Sequence, residues 1–133
     1  MTRIESQKTE IEQPANKLFA YLSDFNNFQQ LMPPQVTNWQ STADECSFAI
    51  SGMATIGMKI IEKIPNSLIK ITSHGKVPFQ FNLDITLNSI SENKTEGQLI
   101  FSSELNPMIK MMVEKPLTNF FNFLSTKLKD IKV

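Results

Sequence analysis

Hydrophobic and polar positions along this chain follow two periods, and the changes between them mark out the elements. "RIESQKTEIE" (3–12) alternates weakly, which predicts an extended, partly exposed strand. In "QPANKLFAYLSD" (13–24) the period becomes helical. Leu18, Phe19 and Leu22 share one face, and Pro14 suits a first helical turn, where its missing N–H costs nothing. Asp24 is placed to cap a second short helix, "FNNFQQLM", with Phe25, Phe28 and Met32 on one side. Pro33 and Pro34 stop it.

From Val36 to Glu104 the period is mostly two. "VTNWQST", "CSFAISG", "TIGMKIIEK", "LIKITSHG", "FQFNLDITL" and "TEGQLIFSSEL" read as six strands, with "ADE", "PNS" and "SENK" among the turns. Turns this short imply an antiparallel meander. In "FQFNLDITL", Phe79, Phe81, Leu83, Ile85 and Leu87 alternate with polar neighbours, so the sheet is expected to be covered on one face only.

The closing stretch "LNPMIKMMVEKPLTNFFNFLSTKLKDI" (105–131) reads as one long helix, with Asn106 as cap and Pro107 at the first helical position. Ile109, Val113, Leu117, Phe120, Leu124, Leu128 and Ile131 centre a broad apolar arc, with Met112, Phe121 and Phe123 toward its edges. Lys110, Glu114, Thr118, Asn122, Ser125 and Lys129 fall opposite, and Met111 falls outside the arc. Lys127 lies within it, its stem on apolar surface and its charge toward water. Pro116 removes the bond to the Met112 carbonyl and is expected to bend the helix. Strand, two short helices, six strands and a long helix, without repeats or linkers, give one α+β domain over residues 1–133.

Three segments carry a family resemblance. "PANKLFAYLSDFNNFQQLMP" resembles the opening proline, helix, aspartate, aromatic, proline run of the START-related helix-grip superfamily (SRPBCC). "GMATIGMKIIEKIP" is similar to its mid-sheet strand, and "LNPMIKMMVEKPLTNFFNFLSTKL" to its closing helix. The superfamily includes pollen-allergen-like and polyketide cyclase/dehydrase-like proteins, and the resemblance spans essentially the whole chain. It implies a curved antiparallel seven-stranded sheet wrapped around a long C-terminal helix, with two short helices after the first strand and a cavity between sheet and helix. The expected ligand-binding residues on the sheet are Phe48, Ile50, Ile56, Met58, Ile60, Phe79, Phe81, Leu83, Leu99 and Phe101. From the helix they would meet Met112, Val113, Leu117, Phe120, Phe121 and Leu124. A filled core satisfies the same apolar stripes, so periodicity alone leaves core and cavity both open.

Composition narrows the function. Hydrophobic residues are 41% and charged residues 20%, a globular balance. Thirteen basic and thirteen acidic residues cancel, which argues against nucleic acid as a partner, since phosphate neutralisation needs a basic excess. Ten Phe and seven Met accompany one Trp and one Tyr, so apolar space is filled without polar handles. Cys46 is the lone cysteine, which precludes an internal disulfide and fits a reducing compartment. With no signal-like start and no run long enough to span a bilayer, a cytoplasmic protein without stable membrane insertion is expected.

Candidate chemistry is sparse. His74 is the one histidine, and sequence spacing supplies it no partner, so it reads as a turn or rim residue. Glu62 shares the parity of Ile56, Met58 and Ile60; pointing inward it would be an acid or base with a raised pKa, and otherwise an exposed strand-end charge. Tyr21 offers a hydroxyl from the first helix. One His and one Cys argue against zinc, and Gly52, Gly57, Gly75 and Gly97 mark turns, bulges or close approaches rather than a phosphate loop. No metal or cofactor is expected.

Three functional readings follow. The first is binding, carriage or sensing of a small hydrophobic molecule of lipid, polyketide or isoprenoid character. The second is a polyketide cyclase/dehydrase-like enzyme, with Glu62, His74 or Tyr21 moving protons. The third is a protein-interaction module resembling chaperone activators. The scarcity of acid/base residues at inward positions puts the first ahead.

Overall fold

The computed structural model describes residues 2–50, 54–75 and 77–132, the side chain of Ala54 excepted; Gly52 lies outside the described residues. The strands are β1 (Thr2–Glu5), β2 (Thr9–Ile11), β3 (Val36–Ser41), β4 (Glu45–Ile50), β5 (Ala54–Ile64), β6 (Leu68–Ser73), β7 (Asn82–Ser91) and β8 (Lys94–Ser103). They form one antiparallel sheet in the order β1-β8-β7-β6-β5-β4-β3, with β2 also paired to β8. Each neighbouring pair from β3 to β8 is consecutive in sequence, which is the expected meander. Helix α1 (Ala15–Leu22) follows β2, and α2 (Pro107–Lys127) follows β8. Inward residues of β6, β7 and β8 (Ile69, Ile71, Ile85, Leu99 and Phe101) are at most 3% exposed, and the apolar faces of both helices close over this side.

The expected first strand is two strands, because residues 6–8 leave the ladder. Ser6 N donates to Leu99 O at 2.9 Å, and Leu99 N donates to Ser6 Oγ at 3.0 Å. Gln7 then turns its backbone to α2: its N–H donates to Asn122 Oδ1 at 2.9 Å, and its carbonyl accepts from Ser125 Oγ at 2.7 Å. Ser125 also shares a 2.6 Å hydrogen bond with Thr9 Oγ1. Buried backbone groups that lose strand partners must find others, and α2 supplies them. Ser125, assigned to the polar face, is therefore fully buried.

The second short helix is instead a pair of 3₁₀ turns, Phe25–Asn27 and Gln29–Leu31, opened by Asp24 accepting from Asn26 N at 2.8 Å. Pro14 occupies the cap position before α1 rather than its first turn. Strand β7 begins at Asn82, so Phe79 and Phe81 belong to the connection before it, where Phe81 N donates to Ser73 Oγ at 3.1 Å. That connection approaches β5 closely. A Cβ on Gly57 would stand 2.1 Å from the His74 carbonyl oxygen, and Gly75 turns the chain with φ +75°.

Helix α2 starts where expected, with Asn106 Oδ1 accepting from Ile109 N at 2.9 Å. It is helical through Pro116 to Lys127 and ends in a 3₁₀ turn, Leu128–Asp130. Pro116 and Met112 are both exposed, so the carbonyl freed by the proline lies on the solvent side. Met112 corrects the expected inner face, being 70% exposed. Burial in the first half of α2 runs through Ile109 and Val113, one turn apart, and the residue before Val113 is rotated about 100° away from that line.

Candidate functional site

The sheet and the second half of α2 enclose a cavity of about 40 Å³. Strand β4 contributes Phe48 and Ile50, β5 contributes Ile56 and Met58, and β8 contributes Leu99 and Phe101. Phe79, Phe81 and Leu83 line it from β7 and the connection before it, and Leu117, Phe120, Phe121 and Leu124 from α2. Phe28 and Met32 complete the wall from the 3₁₀ segment, two residues absent from the expected lining. Their signal was present in the shared face of Phe25, Phe28 and Met32. Ile60 and Val113 are buried in the core but lie outside the cavity wall, and Met112 is in solvent.

Every lining side chain is apolar, and none titrates. Rings make up much of the wall. Phe101 stands 5.5 Å from both Phe81 and Phe121, Phe121 stands 5.5 Å from Phe120, and Phe120 lies 6.3 Å from Phe48. Met32, Ile50, Phe79 and Phe120 are only half-buried, so they mark the rim on which the cavity meets the surface.

None of the three acid/base candidates reaches this space. Glu62 is exposed because the β5–β6 register shifts: Ile60 faces Ile71 across the ladder, while Glu62 faces Lys70. The one-residue bulge at Ile61 reverses the parity that would have turned Glu62 inward. His74 is exposed and does have a carboxylate partner, Glu45 Oε1 at 2.9 Å from Nε2. Glu45 precedes the buried Cys46 on β4, so the pair lies on the opposite sheet face from the cavity. Tyr21 lines a separate surface cleft with Gln30, Leu31 and Ile131. Its hydroxyl donates to the Asn27 carbonyl and meets Gln30 Nε2; burial raises its pKa, and the Gln30 bond works against that rise.

Cys46 is 5% exposed, and burial pushes its thiol from the ordinary 9.0 up to about 12, against a smaller lowering from a backbone hydrogen bond with Met58. Such a thiol stays protonated and behaves as a small hydrophobe. Among the described residues, no three His, Cys, Asp or Glu gather to hold a metal ion. None of the described helices is long and apolar enough to cross a membrane.

No family model and no curated protein sequence matches the chain. Solved structures do. A START superfamily protein from Mycobacterium smegmatis matches with TM-score 0.70 and 13% identity, over 98% of this chain and 99% of that one. The protein XoxI from Bacillus cereus matches with TM-score 0.76 and 11% identity, over 98% and 94%. The di-domain ARO/CYC BexL, from the BE-7585A biosynthetic pathway, matches with TM-score 0.67 and 12% identity, over 95% of this chain and 46% of that one. At such identities the likeness is one of fold. With its meandering sheet closed by a long C-terminal helix, the chain has the START-like helix-grip fold.

Proposed function

We propose that this protein binds a small hydrophobic molecule, of lipid, polyketide or isoprenoid character, between the sheet and α2, without transforming it. The observation that carries this reading is the wholly apolar cavity wall, built from Phe, Met, Leu and Ile of both layers. Such a wall recognises a ligand by area and shape, at about 25 cal/mol per Å² of apolar surface removed from water. Typical ligand sites hold about 300–1,000 Å³, so binding parts the walls at the half-buried rim. The cyclase-like alternative loses its proton carriers, because Glu62 and His74 are exposed and Tyr21 sits in another cleft.

The test is titration with N-phenyl-1-naphthylamine, whose emission rises in apolar surroundings. Saturable binding is expected. Leu117→Trp fills the cavity from α2 and should weaken it by about tenfold or more while the chain stays folded. Emission that never saturates, or equal affinity in a folded Leu117→Trp variant, would contradict the reading.

A second reading, a protein-interaction module with a filled core, draws on the small cavity and on Met108, Met111 and Met112, which are 73%, 85% and 70% exposed. It expects no saturable probe site and a stable protein complex.

A further inference from the structure

The solvent side of α2 carries a chemistry that the cavity does not use. Met108, Met111 and Met112 are 73%, 85% and 70% exposed, all within the first turns after the Asn106 cap. At about 100° per residue, Met111 and Met112 fall about 60° and about 40° to either side of Met108, so the three thioethers share one outward face. Further along, the same face carries Lys115, Asn119 and Thr126, all exposed, as a solvated helix face should. Helix formation does not ask for methionine here, since Lys, Gln and Glu form helix about as well. Packing does not ask for it either, because these side chains stand in water.

What sets methionine apart is its sulfur. A thioether carries no titrating proton, accepts hydrogen bonds weakly, and is a soft donor that suits copper(I) and silver(I) rather than magnesium or calcium. Residues three and four apart on a helix have Cβ atoms about 5–6 Å apart, and the three rotatable bonds of each Met let the sulfurs close on a single ion. Met108 stands three residues before Met111 and four before Met112, and so lies between them on the face. Lys110, on the other side of the helix, is paired with Glu114 Oε2 at 3.7 Å. Lys115 shares the methionine face but is exposed, so solvent screens its charge from an ion held there.

We infer that Met108, Met111 and Met112 form a surface site for a soft monovalent cation of the copper(I) and silver(I) kind, held by three thioether sulfurs. The site is separate from the sheet–helix cavity and does not rest on what that cavity binds.

Silver(I) nitrate, titrated into the whole chain in chloride-free buffer, tests this through the methionine methyl signals of a carbon–proton NMR spectrum. The signals of Met108, Met111 and Met112 should move together and saturate at one ion per chain, while that of the buried Met58 stays in place. The combined Met108→Leu, Met111→Leu and Met112→Leu variant keeps strong helix formers at exposed positions and should bind silver(I) about tenfold or more weakly. Because thioethers do not titrate, the wild-type affinity should hold from about pH 5 to about pH 8, the range in which a histidine ligand would lose the ion to protons. Binding that survives the triple substitution puts the ion on Cys46 or His74 and overturns the site. Methionine signals that never saturate, or that respond equally to zinc(II), overturn it as well.

Discussion

The thiol of Cys46 makes a residue-scale consequence of burial measurable. Its pKa is raised to about 12 when folded, against an ordinary 9.0. The folded state favours the neutral thiol, so this contribution is whole below pH 9 and is lost as pH rises from 9 toward 12, where the unfolded chain gives up the proton. Between pH 9 and pH 10 the wild type should lose about 1 kcal/mol more stability than Cys46→Ala. Urea titrations of both at the two pH values check this, and parallel losses would contradict it. Gly57 supplies a second case. A Cβ there meets the His74 carbonyl oxygen at 2.1 Å, so Gly57→Ala should destabilise by about 3 kcal/mol, read as a lower urea midpoint. Residue types set the inner face well where a strand is regular, as for Phe48, Ile56 and Met58. Glu62 escaped because a one-residue bulge inverts parity, and nothing in "KIIEK" distinguishes a bulged Ile61 from a regular one.

Among the elements, α2 is held to the sheet by polar contacts as well as apolar ones. Gln7 in the β1–β2 break and Thr9 at the start of β2 meet Asn122 and Ser125, and Gln7 Nε2 also donates to Thr126 Oγ1 at 2.9 Å. Ser125→Ala removes the partner of the Thr9 hydroxyl and one of two donors to the Gln7 carbonyl, and should cost about 2 kcal/mol. Chemical denaturation measures that loss; an unchanged midpoint would mean that the junction contributes nothing. Helix start, helix length and all six meander strands were legible, because capping residues, prolines and period-two runs are local signals. The break at residues 6–8 was not. Its cause is a set of partners more than a hundred positions away, and the same partners turned Ser125 from an expected surface residue into a buried one. Met112 failed differently: the apolar arc was read wider than the surface that α2 meets, and helical spacing cannot say where a partner surface ends.

At the scale of the whole molecule, one curved apolar face is shared between a core and a cavity. The end near α1 is filled, with Leu18, Phe25, Ile69 and Ile85 at most 1% exposed. The end near Phe48 and Phe120 retains space and a half-buried rim. Periodicity placed Phe48, Ile56, Met58, Leu83, Leu99 and Phe101 on this face but could not divide it, because core and cavity wall draw on the same residue types. Phe28 and Met32 joined the wall through tertiary placement of the 3₁₀ turns, beyond the reach of any local pattern. At this scale stands the proposal that the divided face holds a small hydrophobic molecule. Its most direct test is native mass spectrometry of gently purified protein, followed by solvent extraction and identification of what is released. A reproducible adduct of defined mass, lost on extraction and reduced in Leu117→Trp, is the predicted result. A bare chain mass, together with no saturable uptake of added apolar probe, would contradict the account and leave a filled core in its place.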